Sequence, residues 1–278
     1  MTEAGPGGAS APLGVFDSGV GGLTVLEALR RRLPRESTIY LGDTARLPYG
    51  PKSPETVRRY AREAASFLVA RGVKAMVVAC NTASARALPA LADEAPVPVV
   101  GVVEPGGRAA VERSRGGRIG VIGTRGTVES GAYQDVIRRL RPDAEVTAAA
   151  CPLFVPLVEE GWTEGVVARL VARRYLDPLL RERVDTLVLG CTHYPHLRSL
   201  LASVAGQDVE LVEPAEATAE AVSAVLEGRG LAAGEGDPER RYYVTDDAAR
   251  FRGLAGRWMG EPIEHLETVE LEALCGPT

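Results

Sequence analysis

The chain has 278 residues, 45% of them apolar, enough for one large domain or two of ordinary size. A net charge of −5 speaks against a nucleic-acid footprint, and no apolar run reaches the ~20 residues that span a bilayer. Met1 to Pro12 is rich in Gly, Ala and Pro, with no basic start and no long apolar stretch. It reads as a tail rather than a signal peptide, so a cytoplasmic protein is expected.

Leu13 to Phe16 is a short apolar strand that runs into Asp17-Ser18-Gly19-Val20-Gly21-Gly22 and then a helix to about Leu33. Ser37 to Gly42 is a second strand, and Asp43 to Pro51 is a loop broken by Pro and Gly. Pro54 opens a helix with Glu55 in its first turn, and the strand Met76 to Ala79 follows. Val97 to Val103 is another apolar run, broken by Glu104-Pro105-Gly106-Gly107. A second series then begins: strand Arg118 to Ile122, a Gly/Thr turn, a helix to Leu140, and strand Glu145 to Ala149. Cys151 to Gly161 reads as an irregular connection, a long helix runs to about Arg183, and the strand Leu187 to Gly190 follows. The tail from Leu231 holds a strand at Tyr242 to Thr245, a short helix and a last strand near Ile263 to Val269, expected to complete the first half.

Strands alternating with helices at this spacing predict βαβ units and mostly parallel sheets. The run ending in Cys80-Asn81-Thr82-Ala83-Ser84 has a counterpart in the run ending in Gly190-Cys191-Thr192-His193-Tyr194-Pro195. Glu104-Pro105 and Glu213-Pro214 repeat at nearly the same separation as the two cysteines. The expected architecture is therefore two similar α/β domains related by a pseudo-twofold axis with a cleft between them. Residues 1–103 with 213–278 form the first and 104–212 the second.

Parallel sheets place ligands at the carboxyl ends of their strands, where both thiols fall. A lone cysteine there is more often a small buried hydrophobe. The polar run after Cys80 instead predicts a helix start, which favours a thiolate, and Cys191 is expected in the same setting with His193 as a proton partner. Cys151 and Cys275 read as structural or incidental, and His196 and His265 as ordinary surface or partly buried residues. Glu159 and Glu160 read as a solvated acidic pair. Gly19, Gly21 and Gly22 fit neither phosphate-loop spacing and read as a tight strand-to-helix turn. Asp17 is balanced between a helix cap and a site residue. The cysteine and histidine spacing gives no metal motif. The two lysines, Lys52 and Lys74, are poor Schiff-base candidates, so no pyridoxal cofactor is expected.

Two equivalent thiols facing one cleft suit proton transfer across a planar carbanion, which needs an acid on one face and a base on the other. A thiol of ordinary pKa ~8.5, lowered by its site, would serve both roles. Competing readings are a phosphate- or nucleotide-binding module around Gly19 to Gly22, and a redox protein joining Cys80 to Cys191.

Phe16 to Gly22, Gly42 to Gly50, Ala79 to Ala83 and Gly190 to Pro195, in this order, together resemble glutamate racemase. The resemblance runs from about Leu13 to near the C-terminus. It implies a cofactor-independent enzyme that interconverts L- and D-glutamate and supplies D-glutamate for peptidoglycan. Carried over by motif, Cys80 exchanges the proton of D-glutamate with help from Asp17, and Cys191 that of L-glutamate with help from His193. The segment from Cys151 also matches, which makes Glu159 a helper. Substrate contacts would come from Asp17, Ser18, Tyr49, Gly50, Asn81, Thr82, Thr192 and His193. The family is usually homodimeric, with neither nucleic acid nor membrane as partner. An aspartate racemase-like enzyme is the nearest alternative.

Overall fold

Leu13 to Asp17 is buried at every position, as are the strands at Thr38, Ala75 and Thr186, the pattern of sheets covered by helices on both faces. The computed structural model describes residues 8–234 and 236–274; residues 1–7, which begin the tail, and Cys275 lie outside the described residues. In chain order the elements of the first series are β1 (Leu13–Asp17), α1 (Leu23–Arg32), β2 (Thr38–Gly42), α2 (Pro54–Val69), β3 (Ala75–Val78), α3 (Asn81–Glu94) and β4 (Val99–Gly101). The second series is α4 (Val103–Arg113), β5 (Arg118–Gly123), α5 (Arg125–Glu129), α6 (Ala132–Leu140), β6 (Glu145–Ala150), α7 (Phe154–Glu159), α8 (Gly165–Arg181), β7 (Thr186–Gly190), α9 (Arg198–Ala205) and β8 (Glu210–Val212). The chain closes with α10 (Pro214–Gly228), β9 (Arg240–Val244), α11 (Ala248–Met259) and β10 (Leu266–Thr268). No described helix is long and apolar enough to cross a membrane.

Two parallel sheets result, ordered β10-β9-β2-β1-β3-β4 and β6-β5-β7-β8. The second order repeats β2-β1-β3-β4 of the first, strand for strand, so Cys80 after β3 and Cys191 after β7 occupy equivalent places. The tail supplies β9 and β10 to the first sheet, where β9 lies beside β2. Alternation along β1 sends Leu13 and Val15 into a core shared with α1, α10 and α11, and Phe16 into one shared with α2 and α3. The second sheet is likewise covered on both faces.

Three local expectations are corrected. The strand does stop before Glu104-Pro105-Gly106-Gly107, but that segment is helical and lies in the first turns of α4. Pro105 is tolerated there because first-turn residues need no amide donor. Gly106 and Gly107 let α4 lie close to its neighbours, since a Cβ would meet Pro214 at 2.9 Å or Val136 at 2.5 Å. The connection after Cys151 contains α7, with Phe154 and Val158 one turn apart on its buried face. Finally, no α-helix starts at Cys191. A turn closed by Tyr194 N–H on Cys191 O at 3.1 Å leads to a 3-10 turn at Tyr194–Leu197, with Pro195 near its start.

Candidate active site

The carboxyl ends of β1, β3, β5 and β7 converge on one small cavity of ≈40 Å³. It is lined by both thiols, Cys80 and Cys191, together with Ser18, Tyr49, Gly50, Asn81, Thr82, Glu159, Thr192 and His193. Every site residue expected from the sequence therefore meets on its wall except Asp17, which is fully buried and not among the lining residues. Reasoning from the sequence missed Gly19, Leu47, Pro48, Thr124 and Val155. Thr124 had a usable signal: it follows β5, the counterpart of β1, as Ser18 follows β1. No arginine or lysine is among the lining residues, so the donors an anion meets here are hydroxyls, amides and the His193 ring.

Cys80 is the N-cap of α3, its sulfur accepting from Ala83 N–H at 3.5 Å and lying 3.4 Å from Ser18 Oγ. The helix start predicted from the sequence is present, but its effect on the thiol is outweighed. Burial, followed by the charge of Asp17, pushes Cys80 up to about 11. Asp17 itself is raised by burial, against which the backbone bonds and His193 pull only partly. Its Oδ2 accepts from Gly19 N–H at 2.9 Å, while Oδ1 is buried with no hydrogen-bond partner in the protein.

Cys191 sits 4.0 Å from His193 Nδ1, and burial drives its thiol far above the ordinary range. Across the imidazole, His193 Nε2 lies 3.1 Å from Glu159 Oε1. Burial raises Glu159, but the bond and charge of His193 and the charge of Arg250 prevail, leaving the carboxyl below its ordinary value. An ionised Glu159 only accepts, so Nε2 carries the proton between them and Nδ1 is the nitrogen that faces the sulfur. Glu159 is thus a nearly buried partner of His193, not the solvated acid expected from spacing alone, whereas Glu160 is exposed.

The two halves touch directly around the cavity. Gly50 O accepts from Gly126 N–H at 2.9 Å, and Thr82 Oγ1 lies 2.8 Å from Thr124 Oγ1. Tyr133 donates to Asn81 Oδ1 at 2.7 Å, which leaves the Asn81 amide NH₂ for the cavity. The Tyr49 hydroxyl donates to Asp43, so it can meet a ligand only as an acceptor. Gly21 sets the approach on the other side, because a Cβ there would overlap the Thr192 hydroxyl and the His193 ring. Gly19, Gly21 and Gly22 lie in the strand-to-helix turn expected from the sequence, but none has positive φ. At Gly21 and Gly22, where a Cβ would overlap Thr192 or meet Asp17 at 2.5 Å, the requirement is space, whereas Gly19 would meet only Leu47 at 3.4 Å. With Thr192 and His193 against Gly21, the loop is filled by protein, which disfavours the phosphate-loop reading.

Cys80, Cys151 and Cys191 are free thiols, and Cys151 is packed in the second core. Among the described residues, no group of three or more His, Cys, Asp or Glu side chains is arranged to hold a metal ion. Lys74 is fully buried and ion-paired to Glu36 at 2.5 Å, away from the cavity. A larger outer cavity of ≈350 Å³, lined by Val20, Thr44, Asp246 and Arg250 among others, shares Leu47 and Glu159 with the inner one.

A sequence profile of the Asp/Glu/hydantoin racemase family matches residues 22–222. The chain is 53% identical to a glutamate racemase from Geobacter metallireducens over 94% of its own length and 97% of that relative. A solved structure of a glutamate racemase isoform from Bacillus anthracis is similar at TM-score 0.91 and 41% identity, covering 94% of this chain and 98% of that one. A glutamate racemase from Francisella tularensis, solved in complex with D-glutamate, gives TM-score 0.89 at 37% identity and covers 95% of this chain and 99% of that one.

Proposed function

The chain belongs to the Asp/Glu/hydantoin racemase family, in its glutamate racemase branch, and from that premise we propose a two-thiol, cofactor-independent interconversion of L- and D-glutamate. The observation that carries the mechanism is that Cys80 and Cys191, delivered by equivalent strands of two matching sheets, line the same small cavity. With L-glutamate bound, Cys191 passes its proton to His193 Nδ1, 4.0 Å away, and the resulting thiolate takes the Cα proton and becomes a thiol again. The electron pair left on Cα then takes a proton from the Cys80 thiol on the opposite face, giving D-glutamate and a Cys80 thiolate. The reverse reaction starts from that state. His193, oriented by Glu159, serves Cys191; Ser18 touches Cys80, and Asp17 acts on it through space.

Both thiols are held protonated by burial, so forming the thiolate needs a compensating charge. The α-ammonium of the substrate supplies it next to the reacting carbon. Donors from Ser18, Asn81, Thr82, Thr124 and Thr192 oppose the charge that develops on the α-carboxylate as the carbanion forms. A cavity of ≈40 Å³ holds a few waters rather than a five-carbon dicarboxylate, so binding must part the halves. In this reading the moving bodies are residues 104–212 and residues 1–103 with 213–278.

Incubation of cofactor-free protein with L-glutamate in D2O tests the reading. Loss of optical rotation with deuterium appearing at Cα is expected, and neither change in the presence of reductant would overturn it. The proposed physiological role, D-glutamate for peptidoglycan, predicts rescue of a bacterium that requires D-glutamate. We also propose the homodimer implied by the resemblance. Exposed Leu153, Trp162, Val166, Val167 and Leu170, close together in the chain, are the apolar side chains it would cover, and light scattering would read the mass directly.

A further inference from the structure

Helix α11 is built into the first half yet reaches the proton-transfer groups of the second. Phe251, Leu254 and Ala255 bury it in the core beside Tyr40 and Tyr242. Its start is fixed by Asp247, in the left-handed region at φ 45°, whose carboxylate accepts from Arg250 N–H at 3.0 Å. Arg250, Leu254 and Trp258 follow at intervals of four, on one stripe. From this stripe Arg250 Nη2 donates to Glu159 Oε2 at 3.1 Å and to Glu160 Oε1 at 3.4 Å. The Trp258 ring meets His193 edge-on at 5.6 Å and lies over His196 at 4.1 Å.

The Glu159 carboxylate is therefore divided: Oε1 serves His193 and Oε2 is held by Arg250. A glutamate at a helix end has rotatable bonds that would let it swing toward solvent, and the guanidinium removes that freedom. Trp258 closes the other side of the imidazole. Neither residue lines the cavity that holds the thiols.

We propose that Arg250, with Trp258, is a positioning residue for the Cys191 half-reaction: the half that carries Cys80 holds in place the Glu159–His193 pair that serves the opposite thiol. The assembled acid–base apparatus on the Cys191 side then exists only when α11 is seated against α7, so closure of the cleft and readiness of Cys191 are one event. The inference rests on the two-thiol assignment and extends it to residues that touch neither substrate nor sulfur.

The test uses the full-length enzyme with Arg250→Met, Arg250→Lys and Trp258→Leu. Enantiomers have equal free energy, so any loss in kcat/KM must be the same in both directions and cannot by itself locate the damaged step. Deuterium isotope effects on kcat/KM with Cα-deuterated L- and D-glutamate can. Arg250→Met should lower kcat by about tenfold, the order expected for a displaced rather than deleted proton partner. It should raise the isotope effect for L-glutamate, whose proton goes to Cys191, and lower that for D-glutamate. Trp258→Leu should move both isotope effects in the same directions by less. Arg250→Lys keeps the charge and should recover most of the loss. Isotope effects that stay unchanged or move together, or a lysine variant no better than methionine, would overturn the proposal. Failure of the underlying two-thiol reading shows separately, as racemisation that survives Cys191→Ala in an otherwise unaltered enzyme. Arg250 is half exposed, so the variants should fold, and an unchanged far-ultraviolet dichroism spectrum checks this.

Discussion

The ends of β3 and β7 present the same residue at the same place in two sheets of matching order, yet surround it differently. Cys80 is served by backbone and short side chains: a helix N-terminus, Ser18, and the buried carboxyl of Asp17. Cys191 has no helix behind it and depends on a relay of side chains, His193, Glu159 and Arg250, drawn from three separate segments. The lesson is that a duplicated framework fixes where two groups stand without fixing how each is tuned. Near-mirror-image substrates require equal placement of the acid and the base. They do not require equal means of moving the proton.

The largest effects come from removing either thiol. Cys80→Ser and Cys191→Ser should each lower racemisation by about 10³-fold or more, since each deletes an acid in one direction and a base in the other. Polarimetry with both enantiomers reads this, and near-normal turnover by either variant would end the two-thiol mechanism.

Next come the carboxylates, where the two sides part. Asp17→Asn and Glu159→Gln should each cost about 10²-fold in kcat, but on opposite sides: the isotope effect should rise for deuterated D-glutamate in the first and for L-glutamate in the second. Their effects on stability should also be opposite. Asp17 has a raised pKa, so the folded state prefers its protonated form. Stability from this group is complete below its unfolded value of 3.8 and is lost as pH rises through the raised folded value. Asn, always neutral, should therefore raise the midpoint of thermal unfolding at pH 7. Glu159 has a lowered pKa, so its contribution is present at neutral pH and is lost as pH falls through the folded value. Gln should lower the midpoint at pH 7. Shifts of the same sign in both variants would show that the two carboxylates are not held in opposite ways.

The Cys80 side was more legible in the sequence because it is local. Strand, thiol and capped helix are consecutive, so a periodic pattern with a polar break shows them. Asp17 and Ser18 likewise follow directly from β1. On the Cys191 side the thiol and His193 are adjacent in the chain, but Glu159 lies in a segment whose two prolines hid the short helix α7. Arg250 and Trp258 come from a tail whose spacing shows only where α11 is amphipathic. Long-range ion pairs and ring contacts leave no periodicity behind. The likeness of the two halves was accessible for a related reason: the doubled strand–cysteine pattern implies a doubled topology, though not the order of its strands, and no motif announces which glycines mark a close approach.

Gly21 offers a smaller and more mechanical test. Gly21→Ala places a methyl group into Thr192 and His193, and overpacking of this kind costs about 1–3 kcal/mol. The strain falls at the seam on the Cys191 side, so the L-glutamate isotope effect should rise along with the loss of stability. Gly19→Ala is the control: its Cβ would meet only Leu47 at 3.4 Å, so stability measured by urea titration should change little. Equal destabilisation by both would show that the turn, rather than the seam, demands glycine.

The smallest effect is an acid sensitivity confined to the Cys191 side. His196 lies under Trp258, its Nε2 buried without a partner, and burial followed by the charge of His193 lowers it to about 4. The folded state thus prefers neutral His196, while the unfolded chain takes up a proton near pH 6.5. Stability from this preference is complete above about 6.5 and is lost as pH falls toward 4, where the folded protein also becomes protonated. The full shift corresponds to at most about 3 kcal/mol at 1.36 kcal/mol per unit, and partial exposure reduces that. His196→Gln should flatten the dependence of urea stability between pH 6.5 and 4 without altering the order of the two isotope effects. Trp258→Leu should weaken the same dependence, because opening the site to water lessens the burial that depresses His196. If the wild type shows no loss of stability over that interval, His196 is not held neutral by this packing, and α11 seats less firmly over the second half than its contacts imply.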